Sequence, residues 1–229
     1  DSLYCNYSKT DYNDWYNTTN GVTITPPEGY KISDNMSIGD SNWKDEYVYT
    51  NNGKNQHIQF YVRNNENGIV YKVEKENINI DNTKPYNLDI SYKSEKNVYN
   101  TILDYITFGL VSSRDTNIEV TLSAYEDISG IESFSYELIP EDGRELDIEN
   151  KVSKNVILDN IETAIDDNGK TYYKASFKIE AEFRGDIKFT AKSKAGLETE
   201  YDKNAKVIVD NRKPDVDIKL NSEAVATNG

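Results

Sequence analysis

One cysteine, one histidine and one methionine occur among 229 residues. A lone thiol, Cys5, cannot close an internal disulfide, so the chain is not a disulfide-stapled scaffold. The count fits a cytosolic protein and a disulfide-free secreted one equally. A lone histidine, His57, sits in a strand-like run beside Ile58 and reads as a strand-surface or turn residue. It leaves any serine or cysteine nucleophile without a second imidazole to activate it. One His and one Cys cannot fill a tetrahedral zinc shell either. Basic charge is also short: 26 Lys and Arg face 40 Asp and Glu, a formal net charge of −14. That balance argues against nucleic acid, whose phosphates need clustered cations, and against anionic membrane surfaces. No stretch is long and apolar enough for a membrane-crossing helix, and mean hydropathy is −0.78. Phosphate-loop and dinucleotide glycine patterns are missing. Asp1 does not open a signal peptide, and the chain reads as a segment of a longer protein.

What the chain has is tyrosine, 18 of them. Tyrosine packs its ring against a core while its hydroxyl stays wet. With many Ile, Val and Thr beside them, the composition suits half-buried strands, and the aromatics argue against disorder. At this length two domains are the natural expectation.

Internal repetition locates them. Ile78-Asn79-Ile80-Asp81-Asn82-Thr83-Lys84-Pro85 recurs as Val207-Ile208-Val209-Asp210-Asn211-Arg212-Lys213-Pro214. Pro85 and Pro214 stand 129 positions apart, as do Phe60 and Phe189, each of which lies in a strand-like run leading to a glycine turn, Asn67-Gly68 or Ala195-Gly196. In each junction apolar residues alternate as on a final strand with one buried face. Asp-Asn then favours a turn, and proline holds the preceding lysine extended. New alternating runs follow, Leu88 to Tyr92 and Val216 to Leu220. The expected units are 1–84, 85–213, and 214–229 as the start of a third.

Between the junctions the reading is all-β. Ile118, Val120, Leu122 and Ala124 alternate with polar residues, as do Tyr173, Ala175, Phe177 and Ile179, and Ile187, Phe189 and Ala191. Shorter versions are Val22/Ile24, Tyr30/Ile32, Tyr47/Tyr49 and Ile58/Phe60/Val62. Short strands separated by Gly, Asn and Asp predict β-sandwiches. Tyr99 to Ile106 is the one run with helical spacing, one or two turns at most. The acidic, weakly periodic stretch Pro140–Thr171 predicts an elaborated hairpin or long loop.

Several short motifs carry a family likeness. They are Ile106-Thr107-Phe108-Gly109, Asp127-Ile128-Ser129-Gly130-Ile131 with Phe134 and Tyr136, Phe183-Arg184-Gly185, and Ala191 to Gly196. Through these the second unit resembles the immunoglobulin-like repeats of large surface proteins from low-GC Gram-positive bacteria, although Lys194-Ala195-Gly196-Leu197 stands where members often read Asp-x-Ala-Gly-Asn. The first unit resembles a shorter companion repeat through Trp15-Tyr16, Pro27 to Ser33, Trp43 and Asn67-Gly68-Ile69. The resemblance implies two tandem immunoglobulin-like β-sandwiches with the first strand of a third, in an extracellular, cell-wall-associated protein. It carries over no catalytic, cofactor-binding or metal-binding residues. It also brings in the Lys–Asn or Lys–Asp isopeptide bond of several such domains, which needs a buried lysine.

Chemistry has few other candidates. Among 40 acids some pair will fall at glycosidase spacing by chance, and solvated faces account for them better. Asp127, Asp166, Asp167 and Asn168 in turns, and Asp81 and Asp210 at the junctions, are ligand types calcium prefers. Asp-Asp-Asn-Gly is equally a hairpin turn, and no EF-hand spacing is present. Trp15, Tyr16, Trp43, Tyr47 and Tyr49 concentrate in the first unit. They read as core anchors, or else as a glycan-binding face. The expectation is therefore a non-catalytic spacer and adhesin, partnered by neighbouring repeats and a host glycan or glycoprotein, with no cofactor. The alternative is a carbohydrate-binding or accessory module of a secreted glycan-degrading enzyme.

Overall fold

The computed structural model describes residues 4–36, 39–94, 110–113, 117–141, 155–180 and 183–209. Among them the protein is all-β, apart from one 3-10 turn at Asp40–Asn42. Six strands come first: β1 (Asn6–Tyr7), β2 (Val22–Thr25), β3 (Tyr30–Ser33), β4 (Tyr47–Tyr49), β5 (Gly53–Asn64) and β6 (Val70–Ile80). They form two three-stranded sheets, β1-β2-β4 and β3-β5-β6. Val22 and Ile24 from one sheet and Ile32, Ile58, Phe60, Val62, Ile78 and Ile80 from the other meet in one core. The alternation read from the sequence puts these residues inward, as a pleat with side chains on opposite faces must.

Ten more strands follow: β7 (Tyr86–Ser94), β8 (Leu110–Ser113), β9 (Asn117–Tyr125), β10 (Ile131–Pro140), β11 (Val156–Leu158), β12 (Glu162–Ile165), β13 (Thr171–Glu180), β14 (Phe183–Ser193), β15 (Glu198–Glu200) and β16 (Lys206–Val209). One sheet runs β11-β10-β14-β16-β8, with β15 also on β14; the other runs β12-β13-β9-β7. Leu88, Val120, Leu122 and Phe177 from the second sheet pack on Phe134, Leu138, Ile187, Phe189 and Val207 from the first. The two cores share no residue. Phe60 and Phe189, matched by the repeat, are both core residues. All pairings are antiparallel except β8 with β16, and an isolated parallel bridge joins Tyr16 to Ile80.

The Pro140–Thr171 stretch departs from expectation. It is not one hairpin: Pro140 closes β10, β11 pairs with β10, and β12 pairs with β13 in the opposite sheet. The segment thus spans both sheets, contributing one short strand to each. The Asp166-Asp167-Asn168-Gly169 turn does close a tight hairpin between β12 and β13, with Gly169 N–H donating to the Asp166 carbonyl at 2.9 Å. The Tyr99–Ile106 run, the Ile106–Gly109 motif, Asp210 and the expected third unit lie outside the described residues.

Candidate functional site

Two places bring polar chemistry together: the joint between the sandwiches and the outer face of the β12-β13-β9-β7 sheet.

The joint forms where β6 ends. Asp81 follows its last residue and is fully buried, at 0% exposure. Its Oδ1 accepts from the Thr83 N–H at 3.0 Å and from the Thr83 hydroxyl at 2.5 Å, the turn that Asp-Asn predicts. Its Oδ2 reaches into the second sandwich and accepts from Ser129 N–H at 3.2 Å. Glu126, one residue beyond β9, is buried beside it at 4% exposure. Its Oε2 accepts from Ile128 N–H at 3.0 Å, from the Ser129 hydroxyl at 3.3 Å and from Gly130 N–H. One carboxylate from each sandwich therefore caps the same Asp127–Gly130 turn. Burial pushes the Glu126 carboxyl above its ordinary range, opposed by the Gly130 and Ile128 amides and reinforced by Asp81. Asp81 also carries the interunit connection onward: Pro85 is buried, and its carbonyl accepts from the Thr199 hydroxyl at 2.6 Å.

A second contact flanks the first. The Tyr12 ring lies on the Ser193–Gly196 turn between β14 and β15, so close that a Cβ on Gly196 would stand 2.5 Å from it. Its hydroxyl donates to Glu132 at 2.8 Å, and the Lys192 ammonium lies 4.5 Å from the ring centroid. Asn17 donates its side-chain amide to the Ala195 carbonyl at 2.8 Å. The sandwiches are thus latched at two points, one at the connector and one at the Ser193–Gly196 turn.

The outer sheet face is a ladder set by strand register. Lys93, Glu119 and Lys178 form one rung; Ser91, Thr121 and Ser176 the next; Asp89, Ser123 and Lys174 the third. A bulge at Asn87, held at φ 49°, then brings Tyr86 opposite Tyr125. Such bulges re-aim side chains. Tyr86 stacks on Tyr125 at 5.6 Å between centroids, and Tyr125 meets Tyr172 at 5.7 Å. The small hydroxyl side chains beside this tyrosine wall leave a groove of about 610 Å³, polar along its floor.

The residues singled out in the sequence fall elsewhere. His57 lies on β5, exposed, with Nδ1 3.0 Å from Glu76 Oε1. Cys5 is half-buried against the first core, and that burial raises its thiol pKa. Trp15 and Trp43 are buried at 7% exposure each, and Tyr16 is buried with its hydroxyl donating to the Ser8 carbonyl at 2.7 Å. Tyr47 and Tyr49 pack against the first core. These five aromatics of the first unit are core anchors. Of the calcium candidates, Asp127 accepts from the Tyr86 hydroxyl at 3.0 Å and pairs with Lys170 at 3.4 Å. Asp166 accepts from the Asn168 and Lys170 amides and from Tyr125, while Asp167 and Asn168 are exposed. Of the candidates among the described residues, only Asp81 enters a joint with another unit. Among the described residues no three His, Cys, Asp or Glu side chains gather as metal ligands, and no lysine is buried as an isopeptide requires.

Sequence reasoning missed Glu126, Tyr12 and the tyrosine wall. Glu126 had a usable signal. It ends the Ile118–Ala124 alternation and precedes Ile128 and Gly130 by two and four residues, where a side-chain carboxylate can reach turn amides. No protein-family model matches the chain, and no curated protein gives a significant match.

Proposed function

We propose that the chain is a non-catalytic tandem immunoglobulin-like module of an extracellular bacterial surface protein, a stalk segment that holds an adhesive end away from the cell wall. The observation that supports this is the joint. Tandem sandwiches on a free linker would need no buried contact between them. Here Asp81 holds the next unit's turn, and Tyr12 seats on Gly196. The Asp-Asn-x-Lys-Pro junction recurs 129 residues later, which extends the same plan along the chain. Spin labels at Glu66 and Asp186, exposed positions remote from the joint, test it in a Cys5→Ser background at pH 5. One narrow interlabel distance is expected; a broad distribution at that pH would refute a stiff stalk.

A second reading, a glycan-binding accessory module, is favoured by the groove rather than by the buried tryptophans. Tyrosine rings accept the apolar faces of sugar rings, and the Ser91, Thr121 and Ser123 hydroxyls with Asp89 and Lys174 offer donors and acceptors for sugar hydroxyls. Titration with neutral oligosaccharides should show saturable binding that Tyr172→Ala abolishes while the fold persists. Binding unaffected by that change would dismiss the groove as the site.

A further inference from the structure

The joint contains more acceptors than protons to fill them. The Thr83 hydroxyl has one proton and two carboxylate oxygens within reach, Asp81 Oδ1 at 2.5 Å and Glu126 Oε1 at 3.3 Å. The shorter contact takes it. Glu126 Oε1 then faces a hydroxyl oxygen that can only accept, an arrangement satisfied when Glu126 itself carries a proton on Oε1. The neighbouring groups favour that proton. Asp81 and Asp127 are acidic, and the Tyr173 phenol, whose oxygen lies against Gly130, is neutral and held so by burial, with Glu126 and Asp127 adding to the effect. Lys170 is paired with Asp127, and among the described residues no lysine or arginine forms an ion pair with Asp81 or Glu126.

We propose that the Asp81–Glu126 pair is a proton-operated latch: one proton on Glu126 Oε1 locks the two sandwiches together, and its release lets them swing about Asn82–Lys84. The step is a simple ionisation in which the Glu126 Oε1–H proton passes to water. It leaves two buried carboxylates side by side, one from each sandwich, with four backbone amides and two hydroxyls to share between them. Relief comes by separation, because each acid can then be hydrated only by leaving the other. The sign follows. Glu126 binds its proton more tightly in the folded joint than in the unfolded chain. The lock is therefore complete in mild acid, and it is lost as pH rises through the raised value. A surface segment built this way would be stiff in acidic surroundings and compliant in alkaline ones.

Glu126→Gln supplies the test, because its carbonyl can accept from the Ile128 and Gly130 amides while its NH2 donates where the proton stood. The same Glu66 and Asp186 labels are followed from pH 5 to pH 9 with chelator present. The unsubstituted Glu126 protein should show a narrow distance at pH 5 that broadens at least twofold by pH 9. Glu126→Gln should stay narrow throughout. A distance that is narrow at every pH in both proteins would overturn the latch while leaving the stiff stalk intact. A pH response that survives Glu126→Gln would also overturn it. Restoration of the narrow distance at pH 9 by calcium would reassign the pair as a cation site and overturn it equally.

Discussion

Gly196→Ala is the substitution that measures the contact between the sandwiches. Gly196 sits at φ 86°, where an L side chain is strained, at a cost of about 1–2 kcal/mol. A Cβ there would also meet the Tyr12 ring at 2.5 Å and its Cβ at 2.9 Å, well inside van der Waals contact. Overpacking of that kind costs about 1–3 kcal/mol more. Gly169 supplies the control. It lies in the same sandwich at φ 80°, with nothing within 4 Å of an added Cβ. Gly169→Ala should therefore show the backbone cost alone, and Gly196→Ala both, about 2–5 kcal/mol together. Urea midpoints followed by far-ultraviolet circular dichroism give the two values. In a Tyr12→Ala background the excess should vanish, and the two alanine substitutions should cost the same. Equal costs with Tyr12 present, or an excess that persists without it, would refute the seating of Tyr12 on this turn.

Further outcomes follow from the two cores and the hairpin. Phe60→Ala and Phe189→Ala should each destabilise their own sandwich by about 3–5 kcal/mol. Trp15 and Trp43 both lie in the first, so tryptophan fluorescence should register Phe60→Ala and shift far less with Phe189→Ala; equal shifts would mean one cooperative core. Backbone amides of Lys170 and Asn168 and the Tyr125 hydroxyl hold the Asp166 carboxyl below its ordinary range. A lowered value adds stability that is present above the unfolded pKa and lost as pH falls through the folded one. Hydrogen exchange at the Asn168 and Lys170 amides should accordingly quicken in acid relative to the intrinsic rate, and Asp166→Ala should remove that dependence. Protection that is indifferent to Asp166 would count against its role in the turn.

The strands were readable because their signal is local. Ile118 to Ala124 and Ile187 to Ala191 alternate with a period of two, and that period fixes which side chains are inward before any partner strand is known. The junction was readable because it recurs. What the sequence hid is long-range. Tyr12 and Glu132 are 120 positions apart, and Asn17 and Ala195 are 178 apart, so no periodicity links them. β11 and β12 lie in the acidic 140–171 stretch, where Ile157 and Ile165 point to solvent and the inward pattern is too short to register. The two tryptophans in the first unit read as core anchors or else as a binding face, and both are buried. A half-buried aromatic row stands in the second unit, where only register and the Asn87 bulge bring Tyr86, Tyr125 and Tyr172 together. Asp81 was noticed as a junction acid, but its partner Glu126 lies just beyond β9, 45 positions away, and its burial depends on both sandwiches.

The parallel pairings bear on how the protein would carry a pull along its length. In the second sandwich the β8 strand runs alongside the terminal β16 strand in the same direction. In the first, Tyr16 bridges Ile80 in the same sense, with Tyr16 N–H donating to Asn79 and Asp81 N–H to Tyr16. Tension applied at the two ends of either sandwich draws such neighbours past one another lengthwise. The hydrogen bonds across them are loaded together, sideways to their own axes, instead of opening one at a time as a zip. In each sandwich the strand by which the chain leaves, β6 or β16, is thus held by hydrogen bonds that act in concert under force.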